Sequence, residues 1–273
     1  MLFPENMGEY LSIDEVSLSQ GELYTFVTNK NGRGKKGSLV ACIKGTLSKD
    51  IIQVLEKLPL SERKKVIEVT LDMAKNMESA VKIVFPDSRL VIDRFHVVKL
   101  SMEALQHMRI KQRWEELDKE NIAIEKAKKN KTKYEPVVLE NEDTPKQLLA
   151  RCRYILAKKT SHWTESQKQR ASILFREYPH LKIAYEHTME FRNIYEQYSI
   201  IIAKERFLQW INKTHTLEMK EFYTVANTIN HNLDNILNFF VKRSTNANAE
   251  SFNSKIKLFR ANLRGVVDTE FFL

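Results

Sequence analysis

The pattern of apolar residues changes near residue 100, and this change constrains the fold more than any other feature of the sequence. Between Tyr10 and Lys99, short runs of β-forming residues alternate with runs that have helical spacing. After Val97 the strand-like runs largely vanish, and helical runs follow one another. The chain is therefore predicted to have a mixed α/β part followed by a long helical part.

Five strands are predicted in the first hundred residues. They lie at 11–16, 23–28, 38–43, 66–71 and 89–92, with a helix before each of the last two. The first three strands are separated by short turn-forming segments, so they should form an antiparallel meander. The last two should run parallel, because each is reached through a helix. The order β-β-β-α-β-α-β indicates a ribonuclease-H-like mixed five-stranded sheet, although other α/β folds can begin in this way.

The helical part contains clear local signals. Thr164, with Gln167 three residues later, is typical of a helix start. Apolar residues at helical spacing predict one continuous helix over 217–241. Three tryptophans lie among apolar helical neighbours and should pack in a core instead of stacking on bases: Trp114, Trp163 and Trp210.

Charge and cysteine content limit the classes of partner. The 44 basic residues exceed the 35 acidic ones, which gives a formal net charge of +9 and fits a polyanion such as nucleic acid. Cys42 and Cys152 have no CxxC partner, so neither a zinc site nor a disulfide framework is indicated. No apolar stretch approaches the ~20 residues of a membrane span, and no signal peptide opens the chain. We therefore expect a cytoplasmic protein with no membrane partner.

Three acidic residues that are far apart in sequence are candidates for one catalytic cluster. Asp14 lies in the first strand, Asp72 ends the fourth, and Glu250 opens a late helix. Convergent carboxylates repel one another unless a divalent cation such as Mg²⁺ or Mn²⁺ lies between them. Two such ions would support in-line phosphoryl transfer. Spacing alone leaves open that Asp14 is a strand-end or turn acid and that Asp72 is a helix N-cap.

The block Asp93-Arg94-Phe95-His96-Val97 is the most distinctive motif. Others are Val69-Thr70-Leu71-Asp72, Glu190-Phe191-Arg192-Asn193 and Glu250-Ser251-Phe252-Asn253. Together these segments resemble bacterial insertion-sequence DDE transposases of the ISL-three type, and the likeness covers nearly the whole chain. The resemblance implies a ribonuclease-H-like core with a large all-α insertion before the third acid. It also assigns Asp14, Asp72 and Glu250 to the DDE triad.

The resemblance further implies an activity and its partners. The expected function is metal-dependent DNA strand cleavage and strand transfer of an insertion sequence, with a two-metal site for Mg²⁺ or Mn²⁺. The expected partner is DNA, both element ends and target, with a homo-oligomer when two ends are synapsed and association with the nucleoid when the enzyme is active. Two alternatives stay open: a non-catalytic, truncated DNA-binding copy that inhibits a full-length transposase, and a ribonuclease-H-like nuclease without strand transfer.

Two departures from the family pattern affect these expectations. Such transposases usually begin with a zinc-finger and helix-turn-helix region, whereas only a short segment precedes the first strand here. We therefore expect a separate end-recognition domain or protein. The chain also stops inside a segment that is expected to continue as a helix. Around the third acid, Ala249-Glu250-Ser251-Phe252 replaces the more usual Glu-Gly pairing.

The expected organisation has three parts. Residues 1–99 form the first part of the ribonuclease-H-like core, 100–243 the α-helical insertion, and 244–273 the C-terminal helix of the core. Basic residues near the third acid and in the distinctive block are expected to contact DNA phosphates: Arg94, Lys255, Lys257, Arg260 and Arg264. Structural or accessory roles are expected for Asp93, His96 and Asn253.

Asp93 is the rival of Asp72 as the second metal ligand, because both residues end a predicted strand. In a sheet of order 3-2-1-4-5, the fourth strand borders the first at ~4.8 Å, whereas the fifth lies at about twice that distance. We therefore expect Asp72 to approach Asp14 more closely. Asp93 should instead bond to the backbone or to His96.

Overall fold

The computed structural model describes residues 1–17 and 22–262, without the side chains of Ala247, Asn248 and Arg260. The chain divides into two compact units. One is formed by Met1–Val97 together with the chain from Asn232, and the other by Val98–His231. The sequence suggests 243 as the end of the helical insertion, whereas in the structure the chain returns to the first unit at Asn232.

The first unit is built on a five-stranded sheet with the order β3-β2-β1-β4-β5. Its strands are β1 (Tyr10–Ser17), β2 (Leu23–Asn29), β3 (Leu39–Lys44), β4 (Glu68–Leu71) and β5 (Arg89–Ile92). β2 pairs antiparallel with both β1 and β3, whereas β4 pairs parallel with both β1 and β5. The predicted α/β class and the mixed, ribonuclease-H-like sheet are confirmed.

One face of the sheet, which we name the core face, packs against helices. The connecting helices are α1 (Ser48–Leu55), α2 (Leu60–Arg63) and α3 (Lys75–Val84). Alternation along β1 directs Leu11 and Ile13 to this face, where they are fully buried. The residues of α1 and α3 in the same core are Ile51, Leu55, Met77, Ala80, Val81 and Val84. Removal of this apolar surface from water is the main contribution to the stability of the unit.

The opposite face of the sheet, the site face, packs against α12 (Ala247–Asn262). Phe252 and Ile256 of α12 pack on a small apolar cluster formed by Val16, Tyr24, Phe26 and Cys42. The ring of Phe252 meets that of Phe26 edge-on, with centroids 6.0 Å apart. Asp14 lies on the same face as Val16, two residues along β1. The site face therefore combines an apolar part that holds α12 with an acidic part beside it.

The segment predicted as one helix over 217–241 is interrupted, so that prediction is wrong. The structure contains α9 (Lys220–His231), α10 (Leu233–Leu237) and α11 (Phe239–Lys242). Asn232 leaves the helical conformation, with φ −112° and ψ 14°. The second boundary is at Asn238, which keeps helical φ and ψ of −59° and −23°, and its side-chain Nδ2 donates a hydrogen bond of 2.7 Å to the Leu90 carbonyl of β5. The helical backbone is therefore interrupted at Asn232, and the bond to the sheet follows at Asn238.

The second unit is helical and has an aromatic core. Its helices are most of α4 (Arg94–Lys129), then α5 (Pro145–Arg151), α6 (Glu165–Glu177), α7 (Pro179–Ile194), α8 (Ile200–Thr216) and α9. Trp210 is buried against Phe191, with ring centroids 4.6 Å apart. Trp114 is 60% exposed, so the expectation of core packing is wrong for it, because charged residues surround it in α4. No helix in the described ranges is long and apolar enough to cross a membrane.

Candidate active site

The pairing of β1 with β4 brings Asp14 and Asp72 to the same part of the site face. Ser12 is paired with Thr70, so the residues two positions further along each strand point in the same direction. Asp72 follows β4 directly and is half-buried. Its Oδ1 is buried and, within the described part of the chain, has no hydrogen-bond partner. A buried carboxylate oxygen without a donor is costly, so a cation would stabilise it.

The Asp14 carboxylate has partners for both of its oxygens. The backbone N–H of Glu15 donates to Oδ1 at 2.8 Å, and Asn253 Nδ2 donates to Oδ2 at 2.5 Å. Burial raises the pKa of Asp14, and the negative charges of Asp72 and Glu250 act in the same direction. The Glu15 hydrogen bond and the charge of His96 oppose this rise. The three predicted acids are therefore close enough to influence one another electrostatically.

Helix α12 carries Glu250 to the site. Glu250 lies in its first turn, and its backbone N–H donates to the Asn246 carbonyl at 2.9 Å. Asn253 follows three residues later, so it lies on the same side of the helix. Phe252 anchors this turn on the apolar cluster of the site face. The position of Glu250 is thus fixed by apolar packing on one side and by the Asn253–Asp14 hydrogen bond on the other.

Glu250 also approaches a second group of possible ligands. Within the described residues, single ligand atoms of Asp93, His96 and Glu250 all lie within 4.8 Å of one another. The Asn246 backbone N–H donates to Asp93 Oδ1 at 3.2 Å, and His96 Nδ1 lies 3.5 Å from Asp93 Oδ2. At 3.5 Å this second contact is more electrostatic than a formed hydrogen bond. It raises the pKa of His96, as do the charges of Asp72 and Asp14, whereas burial lowers it.

The comparison with known families identifies the family of the chain. The family model for DDE transposases of the ISL-three type, described as transposase, matches residues 11–273. The chain belongs to this transposase family. Neither the curated proteins nor the solved structures gave a significant match.

The basic residues of this transposase that are predicted to contact DNA differ from one another in exposure and in their contacts. Lys255 and Lys257 are exposed on α12, and Lys255 Nζ donates to the Gly34 carbonyl at 3.3 Å. The Arg94 guanidinium lies 5.7 Å from the centroid of the Phe239 ring, which it faces, so it is partly engaged in a cation–π contact. Arg260 is in α12 but its side chain is outside the described part, and Arg264 lies outside the described residues altogether.

A buried ion pair on the site face was not foreseen from the sequence. Lys30 Nζ donates to Glu68 Oε1 at 3.2 Å and also to Thr70 Oγ1. Glu68 is fully buried, and burial lowers the pKa of Lys30, although the charges of Glu68 and Asp93 oppose this. Lys30 and Glu68 are 38 residues apart, so no local pattern indicates their contact. The pair connects the end of β2 to the start of β4. β2 is the strand that follows Asp14 in the chain, and β4 ends directly before Asp72.

Proposed function

We propose that this transposase cleaves and transfers DNA strands with Asp14, Asp72 and Glu250 as its catalytic carboxylates. The observation that carries the proposal is the buried Oδ1 of Asp72, which has no partner among the described residues and lies in a group where the charges of Asp72 and Glu250 raise the pKa of Asp14. Without a cation, a buried carboxylate oxygen that has no hydrogen-bond partner destabilises the fold. The occurrence of such an oxygen in Asp72 therefore favours a metal-binding role.

The donor set fits Mg²⁺ or Mn²⁺. All three proposed ligands are carboxylates, and hard divalent cations prefer oxygen ligands. When bound, a pair of these ions supplies the positive charge that activates a water or a DNA 3′-hydroxyl and stabilises the leaving oxygen. The proposed substrate is DNA, at element ends and target. We propose a homo-oligomer acting in the cytoplasm, together with a domain or protein that recognises the ends.

The residues around the carboxylates would hold them in position. Asn253 donates to Asp14 and so fixes the orientation of its carboxylate. Asp93 accepts from the Asn246 backbone at the start of α12 and contacts His96, so both of its oxygens already have neighbours. Asp93 follows β5, which lies one strand further from β1 and Asp14 than β4 does, and this favours a positioning role for Asp93 over metal binding. A site formed by Asp93, His96 and Glu250 is the rival arrangement, because their ligand atoms are already close.

The test combines metal binding with DNA nicking. Mn²⁺ binding would be followed by electron paramagnetic resonance, and nicking by conversion of a supercoiled plasmid in Mn²⁺, Mg²⁺ or EDTA. Asp14→Asn, Asp72→Asn and Glu250→Gln should each weaken Mn²⁺ binding and abolish nicking. Glu15→Gln is the matched control, because Glu15 is the exposed neighbour of Asp14 on the same strand.

Four outcomes distinguish the alternatives. A folded Glu250→Gln variant with undiminished nicking contradicts the triad. If Asp93→Asn abolishes Mn²⁺ binding while Asp72→Asn does not, the rival site with His96 is correct. DNA binding by a parent protein that neither binds Mn²⁺ nor nicks DNA favours a non-catalytic, inhibitory role, and nicking without joining of 3′-ends favours a nuclease.

A further inference from the structure

The loop between β2 and β3 lies in a strongly basic stretch. Residues 23–49 contain six lysine or arginine residues and no aspartate or glutamate. Lys30 is engaged by Glu68, but Arg33, Lys35 and Lys36 are exposed. Among the residues that the structure describes, no carboxylate forms an ion pair with any of these three. Their charges are therefore available to an anionic ligand.

Backbone hydrogen bonds hold this loop in a defined shape. The Arg33 N–H donates to the Lys30 carbonyl and the Lys35 N–H to the Gly32 carbonyl, both at 3.0 Å. Gly34 and Gly37 have φ of 67° and 84°, a region that favours glycine. A loop fixed in this way presents Lys35 and Lys36 with little loss of backbone entropy when a ligand binds.

Helix α12 supplies the other side of a groove. The groove has a volume of about 340 Å³ and is lined by the loop, by Phe3 and Asn6, and by Phe252 and Lys255 of the helix. Lys255 Nζ contacts the loop at the Gly34 carbonyl, 3.3 Å away. Lys255 is five residues beyond Glu250, which corresponds to ~7.5 Å along the helix axis at 1.5 Å per residue. That rise places Lys255 near the acidic end of α12, beside the groove.

We propose that Lys35, Lys36 and Lys255 form a groove that binds the DNA backbone beside the phosphate at the acidic site. This inference rests on the proposed function, since it takes the acids to mark the reacting phosphate. The groove offers lysine ammonium groups, which interact with phosphates as point charges and do not read bases. Its role is to position the strand, without preference for sequence.

The first experiment measures the salt dependence of DNA binding in EDTA, where no metal-dependent cleavage occurs. The probe is a fluorescein-labelled 40-base-pair duplex of arbitrary sequence, titrated with the full chain at several salt concentrations. For Lys35→Ala/Lys36→Ala, the slope of log K against log salt should become less steep by ~1.8, or ~0.9 for each lost phosphate contact. The control Lys57→Ala/Lys64→Ala removes the same charge from two exposed lysines elsewhere in the unit.

The second experiment locates the contact without substitutions. The chain would be acetylated briefly with and without the duplex, and the modification of each lysine quantified by mass spectrometry. DNA should protect Lys35 and Lys36, whereas Lys57 and Lys64 should react as before.

The outcomes separate this inference from the proposed function. An equal change of slope in both double variants, or no protection of Lys35 and Lys36, overturns the inference. The Mn²⁺ binding and plasmid nicking described above decide the catalytic proposal independently. If the parent protein nicks DNA while Lys35 and Lys36 stay unprotected, the catalytic proposal stands and the proposed DNA-binding groove is wrong.

Discussion

His187 is a buried histidine of the second unit whose tautomer can be deduced from its neighbours. Its ring stacks on Trp210, with centroids 4.4 Å apart and an interplanar angle of 11°. Its Nε2 lies 2.8 Å from Thr214 Oγ1, and that hydroxyl donates its own proton to the Trp210 carbonyl. The hydroxyl must therefore accept from His187 Nε2–H, which leaves Nδ1 unprotonated. The nearest acid, Glu190, lies 4.0 Å from Nδ1 and is already paired with Lys213.

This environment makes the stability of the second unit dependent on pH. Burial lowers the pKa of His187 to about 4, and the charge of Lys213 acts in the same direction. A histidine in the unfolded chain titrates near pH 6.5, so between pH 6.5 and 4 the unfolded state binds a proton that the folded state does not. Stability is therefore lost as pH falls through this window. His187 alone should lower the free energy of unfolding by ~2 kcal/mol at pH 5 and ~3 kcal/mol at pH 4.

The assay uses His187→Phe, which keeps a ring on Trp210 but cannot titrate. All three tryptophans lie in the second unit, so tryptophan fluorescence during urea unfolding reports that unit. Between pH 7 and 5 the parent should lose ~2 kcal/mol more than the variant. His162→Phe, which changes an exposed histidine, should behave like the parent. If the parent and His187→Phe lose stability in parallel, the buried imidazole is not the cause.

Three further predictions concern the first unit. Asp72→Asn should weaken Mn²⁺ binding at least ~10-fold with little change in melting temperature, whereas Asp93→Asn should lower the melting temperature by ~2–4 °C for each kcal/mol lost. Electron paramagnetic resonance would measure Mn²⁺ binding, and circular dichroism would measure the melting temperature. The reverse pattern would make Asp93 the metal ligand and Asp72 the positioning residue. Asn253→Ala should slow nicking ~10- to 100-fold, because a hydrogen bond to a charged group contributes ~1.5–3 kcal/mol; an unchanged rate would exclude a positioning role. Gly32→Ala should destabilise the unit by ~1–3 kcal/mol in thermal unfolding, because its Cβ would lie 2.3 Å from Ser38 Oγ and 2.8 Å from Ser38 Cα; wild-type stability would mean that the loop adjusts.

Features with a local cause could be predicted from the sequence. The five strands follow from β-forming runs and turn residues, and their mixed order follows from the helices between the later strands. At the start of α6, the Gln167 N–H donates to Thr164 Oγ1 and the Thr164 N–H donates to Gln167 Oε1, as that pair of residues predicts. Each of these signals is contained within a few residues.

Features that depend on distant contacts could not be predicted. The hydrogen bond from Asn238 to the Leu90 carbonyl joins residues 148 positions apart, and the apolar stripe through Asn238 does not indicate it. The hydrogen bond from Asn246 to Asp93 spans 153 residues. For the site, the sequence supplied candidate acids and the strand order. The closeness of Asp93 and His96 to Glu250 depends on where α12 begins, which no local pattern specifies.

The geometry of the acidic site is a consequence of the packing on the other side of the sheet. Leu11 and Ile13 are fully buried on the core face, and alternation then directs Ser12 and Asp14 to the site face. A shift of one residue in the pairing of β1 with β4 would turn Asp14 into the apolar core and expose Ile13 on the site face. Both changes are unfavourable, because a buried charge without a partner costs several kcal/mol and an exposed isoleucine loses its burial energy. The apolar side chains of β1 therefore determine the register that brings Asp14 beside Asp72, although none of them contributes an oxygen to the site.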